Sequence, residues 1–249
     1  AGYEVELIGR FRKNSKPLNE KPFRQKRLKC FFDKGKFFYL EYNIRLFFYL
    51  LSHKTDIICG IDLDTILPTW FAARLKSKIF VYDAHEYFTE TSSLHGRKFE
   101  KAVWKKVEAS LVPRVKHAYT VNHSIADIFK KEYETSFDVV RNVPVLRQIE
   151  AKDDSREKYI LYQGVLNKGR GLEFLLKCMQ HIDIKLKIAG DGPLRDLLEQ
   201  MAVDLKVKDK VEFLGFVLPE ELIAITDNAW VGLNLIENTG PSYYYSLAN

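Results

Sequence analysis

Four short stretches bring together residue types that do chemistry. Lys168-Gly169-Arg170-Gly171 is a basic, glycine-containing loop between the apolar run Tyr159–Tyr162, which ends at Gly164, and a helical pattern over Leu172–Met179. Gly190-Asp191-Gly192 closes the next apolar run, Ile184–Ala189. Glycine lets backbone N–H groups approach a ligand, and Lys168 or Arg170 supplies positive charge, so the chemistry suggested is binding of an anion, most simply a phosphate. Asp83-Ala84-His85-Glu86 follows the apolar run Lys78–Tyr82, and Glu237-Asn238-Thr239-Gly240-Pro241 follows Trp230–Ile236. Each puts polar or small groups at the end of an apolar strand. The bland alternatives are an ordinary strand-to-helix turn with solvated cations, and a tight turn with helix-capping carboxylates. Neither the dinucleotide fingerprint nor the Gly-Lys-Ser/Thr phosphate loop is present, because Arg195 stands where a third glycine would be needed.

These stretches need elements to hold them. The chain has 249 residues, enough for one large or two ordinary domains. Its 46% hydrophobic and 29% charged residues are those of a globular protein. It has no apolar run of 18 residues and no basic-then-apolar leader. Cys30, Cys59 and Cys178 lack paired or metal-ligand spacing, which suits reduced thiols in a cytoplasmic protein. The net charge of +6 is unevenly spread. Residues 1–148 hold 27 Lys and Arg against 17 Asp and Glu, and residues 149–249 hold 12 against 16. Halves of opposite sign suggest two domains, the first suited to an anionic partner such as a phospholipid surface, a lipid-linked phosphate or nucleic acid.

Along the chain, Tyr3–Gly9 alternates as a strand after Gly2, a helix C-cap glycine that implies an earlier helix and a missing natural beginning. Arg10–Lys36 reads as a basic loop, interleaved with Phe11, Phe23, Phe31 and Phe32, with one short strand near Leu28–Phe32. Phe37–Leu51 reads as an apolar helix that contacts a membrane or is a buried crossover. Strands at Asp56–Gly60, Lys78–Tyr82 and His117–Val121 alternate with helices at Thr65–Leu75, Arg97–Leu111 (Trp104 on its apolar side) and Ile125–Tyr133, the last capped from Asn122-His123-Ser124. Leu146–Glu157 reads as a polar linker. Beyond it come a helix opened by Pro193 at N1, a strand over Val211–Phe216, and a helix over Pro219–Ala229. The expectation is α/β: parallel, doubly wound sheets in two domains, 1–147 and 148–249, with ligands at the carboxyl ends of the strands.

Taken in order, YQGVLNKGRGLE (Tyr162–Glu173), LKIAGDGPLRDLLE (Leu186–Glu199), VEFLGFVLPEEL (Val211–Leu222), ENTGPSYYYSLAN (Glu237–Asn249) and YDAHEYFTE (Tyr82–Glu90) resemble family 4 of the glycosyltransferases. The resemblance spans almost the whole chain and is more specific in its second half. It implies the GT-B fold: two Rossmann-like domains facing a cleft, the acceptor mainly on the first and a nucleotide-sugar donor mainly on the second. It also implies that the chain lacks its first strand and its last βα units, and with the latter the family's second, ribose-holding glutamate.

The family's roles carry over by position. Arg170 matches the basic residue that pairs with the donor diphosphate, with Lys168 beside it, while Gly164 and Gly190 open the two donor loops. Phe216 and Val217 match the loop against the nucleobase. Glu237 lies by the donor sugar hydroxyls, and the backbone of Asn238, Thr239 and Gly240 approaches sugar and phosphate. His85 faces the reacting sugar. The family usually has a second basic residue where this chain has Val165.

The implied reaction is sugar transfer with retention, without metal or cofactor, to a glycan or lipid-linked acceptor of polysaccharide or glycolipid assembly. The setting implied is the cytoplasmic side of the inner membrane, with peripheral contact. A non-catalytic binding module of the same fold is the alternative. Nucleic-acid binding is disfavoured, because no module for it is present and the second half is acidic.

Overall fold

Alternating apolar strands and helices fold into parallel sheets, as the order of elements requires. The structure is a computed structural model describing all residues except 1, 14, 16, 92, 93, 95, 144–156 and 247–249. The chain divides into two units, residues 1–142 and 143–249. The expected boundary at 147/148 and most of the expected linker fall in 144–156, outside the described residues.

In the first unit, β1 (Glu6–Arg10) and β2 (Arg24–Leu28) form a parallel pair, with Glu6 opposite Arg24. A four-stranded parallel sheet has the order β3 (Ile57–Ile61), β4 (Ile79–Ala84), β5 (His117–Thr120), β6 (Asp138–Val139). The connecting helices are α1 (Gly35–Ser52), α2 (Leu63–Leu75), α3 (Lys98–Leu111) and α4 (His123–Tyr133). In α1 the residues Phe38, Tyr42, Leu46 and Leu50 recur every fourth position and form a buried stripe. That stripe packs on Ile58, Ala72 and Ala73, with Ile8 and Leu28 alongside. Its opposite face stays apolar yet exposed, so the buried-crossover reading holds for one stripe only. Asn122 caps α4 as expected, accepting the Ile125 N–H at 2.9 Å. Among the described residues no helix is long and apolar enough to cross a membrane.

The short strand of the basic loop lies at Arg24–Leu28, not Leu28–Phe32. Its polar residues are held by backbone pairing with β1, which needs no apolar side chain. Phe31 and Phe32 turn away because their N–H groups donate to the Glu41 carboxylate at 2.8–3.0 Å. The second strand of the four-stranded sheet also runs further than Tyr82, so Asp83 and Ala84 belong to β4.

In the second unit the parallel order is β10 (Val231–Leu233), β7 (Tyr159–Gln163), β8 (Lys185–Ala189), β9 (Val211–Gly215). The helices are α5 (Leu172–Cys178), α6 (Arg195–Asp204), α7 (Pro219–Asn228) and α8 (Pro241–Tyr244). Successive residues of β7 and β8 face opposite sides. Tyr162, Leu186 and Ile188 join Leu172, Leu176, Met179 and Leu198 in one core. Tyr159, Leu161 and Ala189 join Ala229 in the other. Cores on both faces make the sheet doubly wound.

Two expectations are corrected here. Pro193 is not the first helical residue, since Arg195 N–H returns to Gly192 O at 3.1 Å in a turn and α6 starts only afterwards. The strand expected over Trp230–Ile236 is three residues long, because only Val231–Leu233 pair with β7 and Leu235 instead lies over Gly171.

Candidate functional site

Each unit carries its own group of chemical residues at the carboxyl ends of its strands. In the first unit, Asp62 follows β3 with φ 56°, a left-handed conformation that Asp tolerates better than most residues. Its N–H donates to Asp83 O at 2.8 Å, and its Oδ1 accepts the His85 N–H at 3.0 Å. Buried Asp83 accepts the Tyr119 hydroxyl on Oδ2 at 2.8 Å and faces His85 Nε2 at 3.1 Å. A proton on Nε2 makes that contact a hydrogen bond and leaves Nδ1 as an acceptor. Asp83 Oδ1 has no partner among the described residues.

Three carboxyls in this region, those of Asp62, Asp64 and Glu86, are harder to ionise than usual. Burial pushes the Asp62 and Asp64 carboxyls up to about 6, with the charge of Asp64 adding to the effect on Asp62 and that of Glu86 to the effect on Asp64. Glu86 is raised too, first by burial and then by Asp62. His85 is thus an exposed imidazole close to carboxyls held above their ordinary range. Sequence reading singled out His85 but gave no role to Asp62, Asp64 or Tyr119; the doublet Asp62-Leu63-Asp64 at a strand end was the available signal.

In the second unit the loops after β7 and β8 meet through backbone. Gly164 N–H donates to Ala189 O at 3.0 Å, and Gly190 N–H donates to Gly215 O at 2.8 Å. A Cβ on Gly190 would stand 1.8 Å from Gly164 O, so glycine is required there. Leu166 links the loops twice more, its N–H to Asp191 O and its O from Leu194 N–H, both at 3.1 Å.

The basic loop is clasped by the segment after β10. Gly169 O accepts the Glu237 N–H at 2.9 Å, and Lys168 O accepts the Tyr243 hydroxyl at 3.2 Å. Gly169, with φ 82°, fits only because it lacks a side chain: a Cβ would meet the Tyr243 ring at 2.4 Å and Thr239 Oγ1 at 3.1 Å. Arg170 packs its guanidinium 5.3 Å from the Tyr243 ring centre, and its buried Nε has no partner among the described residues. Lys168 is exposed. The arrangement offers a half-buried guanidinium, an exposed ammonium and glycine backbone to an anion, with Glu237, Asn238 and Thr239 exposed beside it.

Gly164, Gly190, Lys168, Arg170 and Glu237–Gly240 are therefore connected through the β7–α5 loop. Phe216 and Val217 lie one strand further on, after β9. Phe216 is 67% exposed, whereas Val217 packs against the cluster of Tyr159, Leu161, Ala189 and Ala229. Tyr243 was not singled out from sequence, since nothing in a row of three tyrosines marks the one that grips Arg170. Val165 is half exposed and leaves its position without a cation. Among the described residues no cluster of three or more His, Cys, Asp or Glu is arranged to hold a metal ion.

Residues 145–233 match the family described as glycosyl transferases group 1. Over 90 residues the chain is 39% identical to an uncharacterized glycosyltransferase of Methanocaldococcus jannaschii, a stretch covering 34% of this chain and 23% of that one. Over 63 residues it is 36% identical to the N-acetylgalactosamine-N,N'-diacetylbacillosaminyl-diphospho-undecaprenol 4-alpha-N-acetylgalactosaminyltransferase of Campylobacter jejuni, covering 24% of this chain and 17% of the relative. Both matches span under a quarter of the relatives' lengths. In structure the chain is similar to sucrose-phosphate synthase of Thermosynechococcus elongatus, with TM-score 0.72, 17% identity, and coverage of 99% of this chain and 67% of that one. At that identity the likeness is one of fold, and the fold is α/β of the GT-B type, as expected. The matched family and both relatives are glycosyltransferases by description.

Proposed function

We propose that the protein is a retaining glycosyltransferase of family 4. It moves a hexose from a nucleotide-diphosphate donor to a glycan or lipid-linked acceptor in surface polysaccharide or glycolipid synthesis at the cytoplasmic membrane face. The observation that carries this reading is the clasp of Lys168–Gly171 by Glu237–Tyr243, which gathers two cations and glycine backbone beside exposed polar groups. Arg170 and Lys168 would hold the donor diphosphate and stabilise the charge that develops as it departs, an electrostatic contribution needing no metal. Glu237 would orient the sugar hydroxyls, Phe216 and Val217 the base, and His85 the sugar's reacting end. In the step itself the anomeric carbon–oxygen bond to the diphosphate breaks. The acceptor hydroxyl oxygen bonds on the same face, and its proton passes to the departing diphosphate.

Val165 favours a second reading, a non-catalytic nucleotide-binding module, because it leaves the donor loop one cation short. Thermal shift with UDP, GDP, ADP and dTDP tests the donor site first. At 100 times Kd a nucleotide adds about 2.7 kcal/mol, and one of the four is expected to shift the melting temperature by several degrees. Arg170→Ala is expected to abolish that shift. Absence of a shift with all four would overturn donor binding. Transfer with inversion, read by NMR of the product's anomeric proton, would overturn retention, and a shift without transfer would establish the module.

A further inference from the structure

The first unit contains an open groove of about 740 Å³ among α1, α2 and α3, within the range of pockets that hold small organic ligands. Leu40, Ile44 and Phe48 of α1, Phe71 of α2 and Phe99 and Val103 of α3 line it. All six are exposed, from Val103 at 45% to Phe99 at 77%. Trp104 stands between Tyr39 and Phe88, edge-on to both at 5.8 and 5.4 Å. A continuous exposed apolar surface of this kind marks a binding site.

One end of the groove is cationic. Lys36 and Arg97 belong to its lining, and the charges of Arg97, Arg10 and Arg12 all act on the Tyr39 hydroxyl, together with that of Asp64. Arg10 is fixed in place, 4.0 Å over the Phe38 ring and donating to Asp33 O at 2.9 Å. Among the described residues none of these three arginines is ion-paired with a carboxylate. The groove lining is also bonded to the start of α2, beside Asp62, which accepts the His85 N–H. Asn43 of the lining donates to Asp64 O at 3.0 Å, and Asp64 is close enough to Glu86, the neighbour of His85, for their charges to interact.

We infer that this groove takes the hydrocarbon chain of a lipid phosphate acceptor, with the phosphate on Arg10, Arg12 and Arg97 and the acceptor hydroxyl presented toward His85. The inference rests on the glycosyltransferase reading and names its acceptor class. An apolar trough ending in guanidinium groups that, among the described residues, pair with no carboxylate complements an amphiphile with one anionic end. A partner helix would leave the arginines unused, and nucleic acid would leave the apolar lining unused.

The probe is farnesyl phosphate, titrated into the full chain without nucleotide and followed by tryptophan fluorescence and calorimetry, with farnesol, inorganic phosphate and phosphatidylglycerol vesicles in parallel. Farnesyl phosphate is expected to saturate at least tenfold more tightly than farnesol or inorganic phosphate. Phe71→Glu is expected to remove that binding, with Val103→Asn as a milder second variant weakening it; both positions are exposed, so melting curves should stay near wild type. Arg12→Ala combined with Arg97→Ala should lower farnesyl phosphate affinity to that of farnesol. Equal binding of farnesol, equal binding of phosphate alone, undiminished binding in Phe71→Glu, or vesicle binding that farnesyl phosphate does not compete would each overturn the assignment. Because no nucleotide is present, failure here alongside an intact nucleotide shift overturns the groove and leaves the donor site standing.

Discussion

Gly190→Ala is the sharpest test of how the loops after β7 and β8 are joined. The added Cβ would lie 1.8 Å from Gly164 O, some 1.6 Å short of ordinary contact at 3.4 Å, and both partners are backbone. Relief requires the ends of β7 and β8 to separate. That strains the bonds from Gly164 N–H to Ala189 O and from Leu166 N–H to Asp191 O. Losing two such bonds costs about 1 kcal/mol each, and overpacking adds roughly 1–3 kcal/mol. The expected destabilisation is about 3–5 kcal/mol, or roughly 10 °C or more for a unit of this size. Gly232→Ala is the control, since a Cβ there meets nothing within 4 Å. Scanning calorimetry of both variants, with the second unit followed through Trp230 fluorescence, gives the comparison. Stability of Gly190→Ala within about 1 kcal/mol of Gly232→Ala would refute the close backbone packing on which the loop geometry depends.

Two further outcomes follow from the charged and aromatic parts of the sites. Asp62→Asn keeps the acceptor for His85 N–H and suits the left-handed backbone, but removes a carboxyl whose folded pKa of about 6 lies above its ordinary value of 3.8. A raised carboxyl stabilises the fold fully below the ordinary value and loses that contribution as pH rises to about 6. The variant should therefore be more stable than wild type above pH 6 by about 1–3 kcal/mol, and equal to it near pH 4; urea melts at pH 4 and 8 showing no such difference would refute the burial. Tyr243→Leu loses the stacking on Arg170 and the bond to Lys168 O, together about 1–2 kcal/mol. The melting temperature should fall by several degrees and the Kd for the preferred nucleotide should rise about 5- to 30-fold, and an unchanged Kd on calorimetric titration would remove Tyr243 from the site.

The fold was legible because its signals are local. Apolar runs such as Tyr159–Tyr162 and Ile184–Ala189 report burial on both faces directly, and Asn122 caps α4 with its own side chain. Elements governed by distant partners were misread. β2 is a polar strand defined by the backbone of β1, and Phe31-Phe32, which look strand-like, are captured by Glu41 from the following helix. The end of β10 is set by the packing of Leu235 over Gly171, which no neighbouring residue announces. In the same way the glycines and cations of the donor loop stand out in sequence, whereas Tyr243, Asp83, Tyr119 and the raised carboxyls of Asp62 and Asp64 acquire their meaning only from what folds against them. The apolar groove was visible only as an unusually hydrophobic helix, since three helices must come together before it has a shape.

The clasp around Lys168–Gly171 bears on how such a protein can change. Two of its fastenings end on the carbonyls of Gly169 and Lys168, and the loops after β7 and β8 are joined by three bonds between main-chain atoms. Main-chain bonds are indifferent to side-chain identity. Residues 165, 168, 238 and 239 can therefore be exchanged while the scaffold that presents them stays put, so a lineage can drift from one ligand to another without refolding the platform. Gly164, Gly169, Gly171 and Gly190 carry the opposite burden, and variation there closes the route.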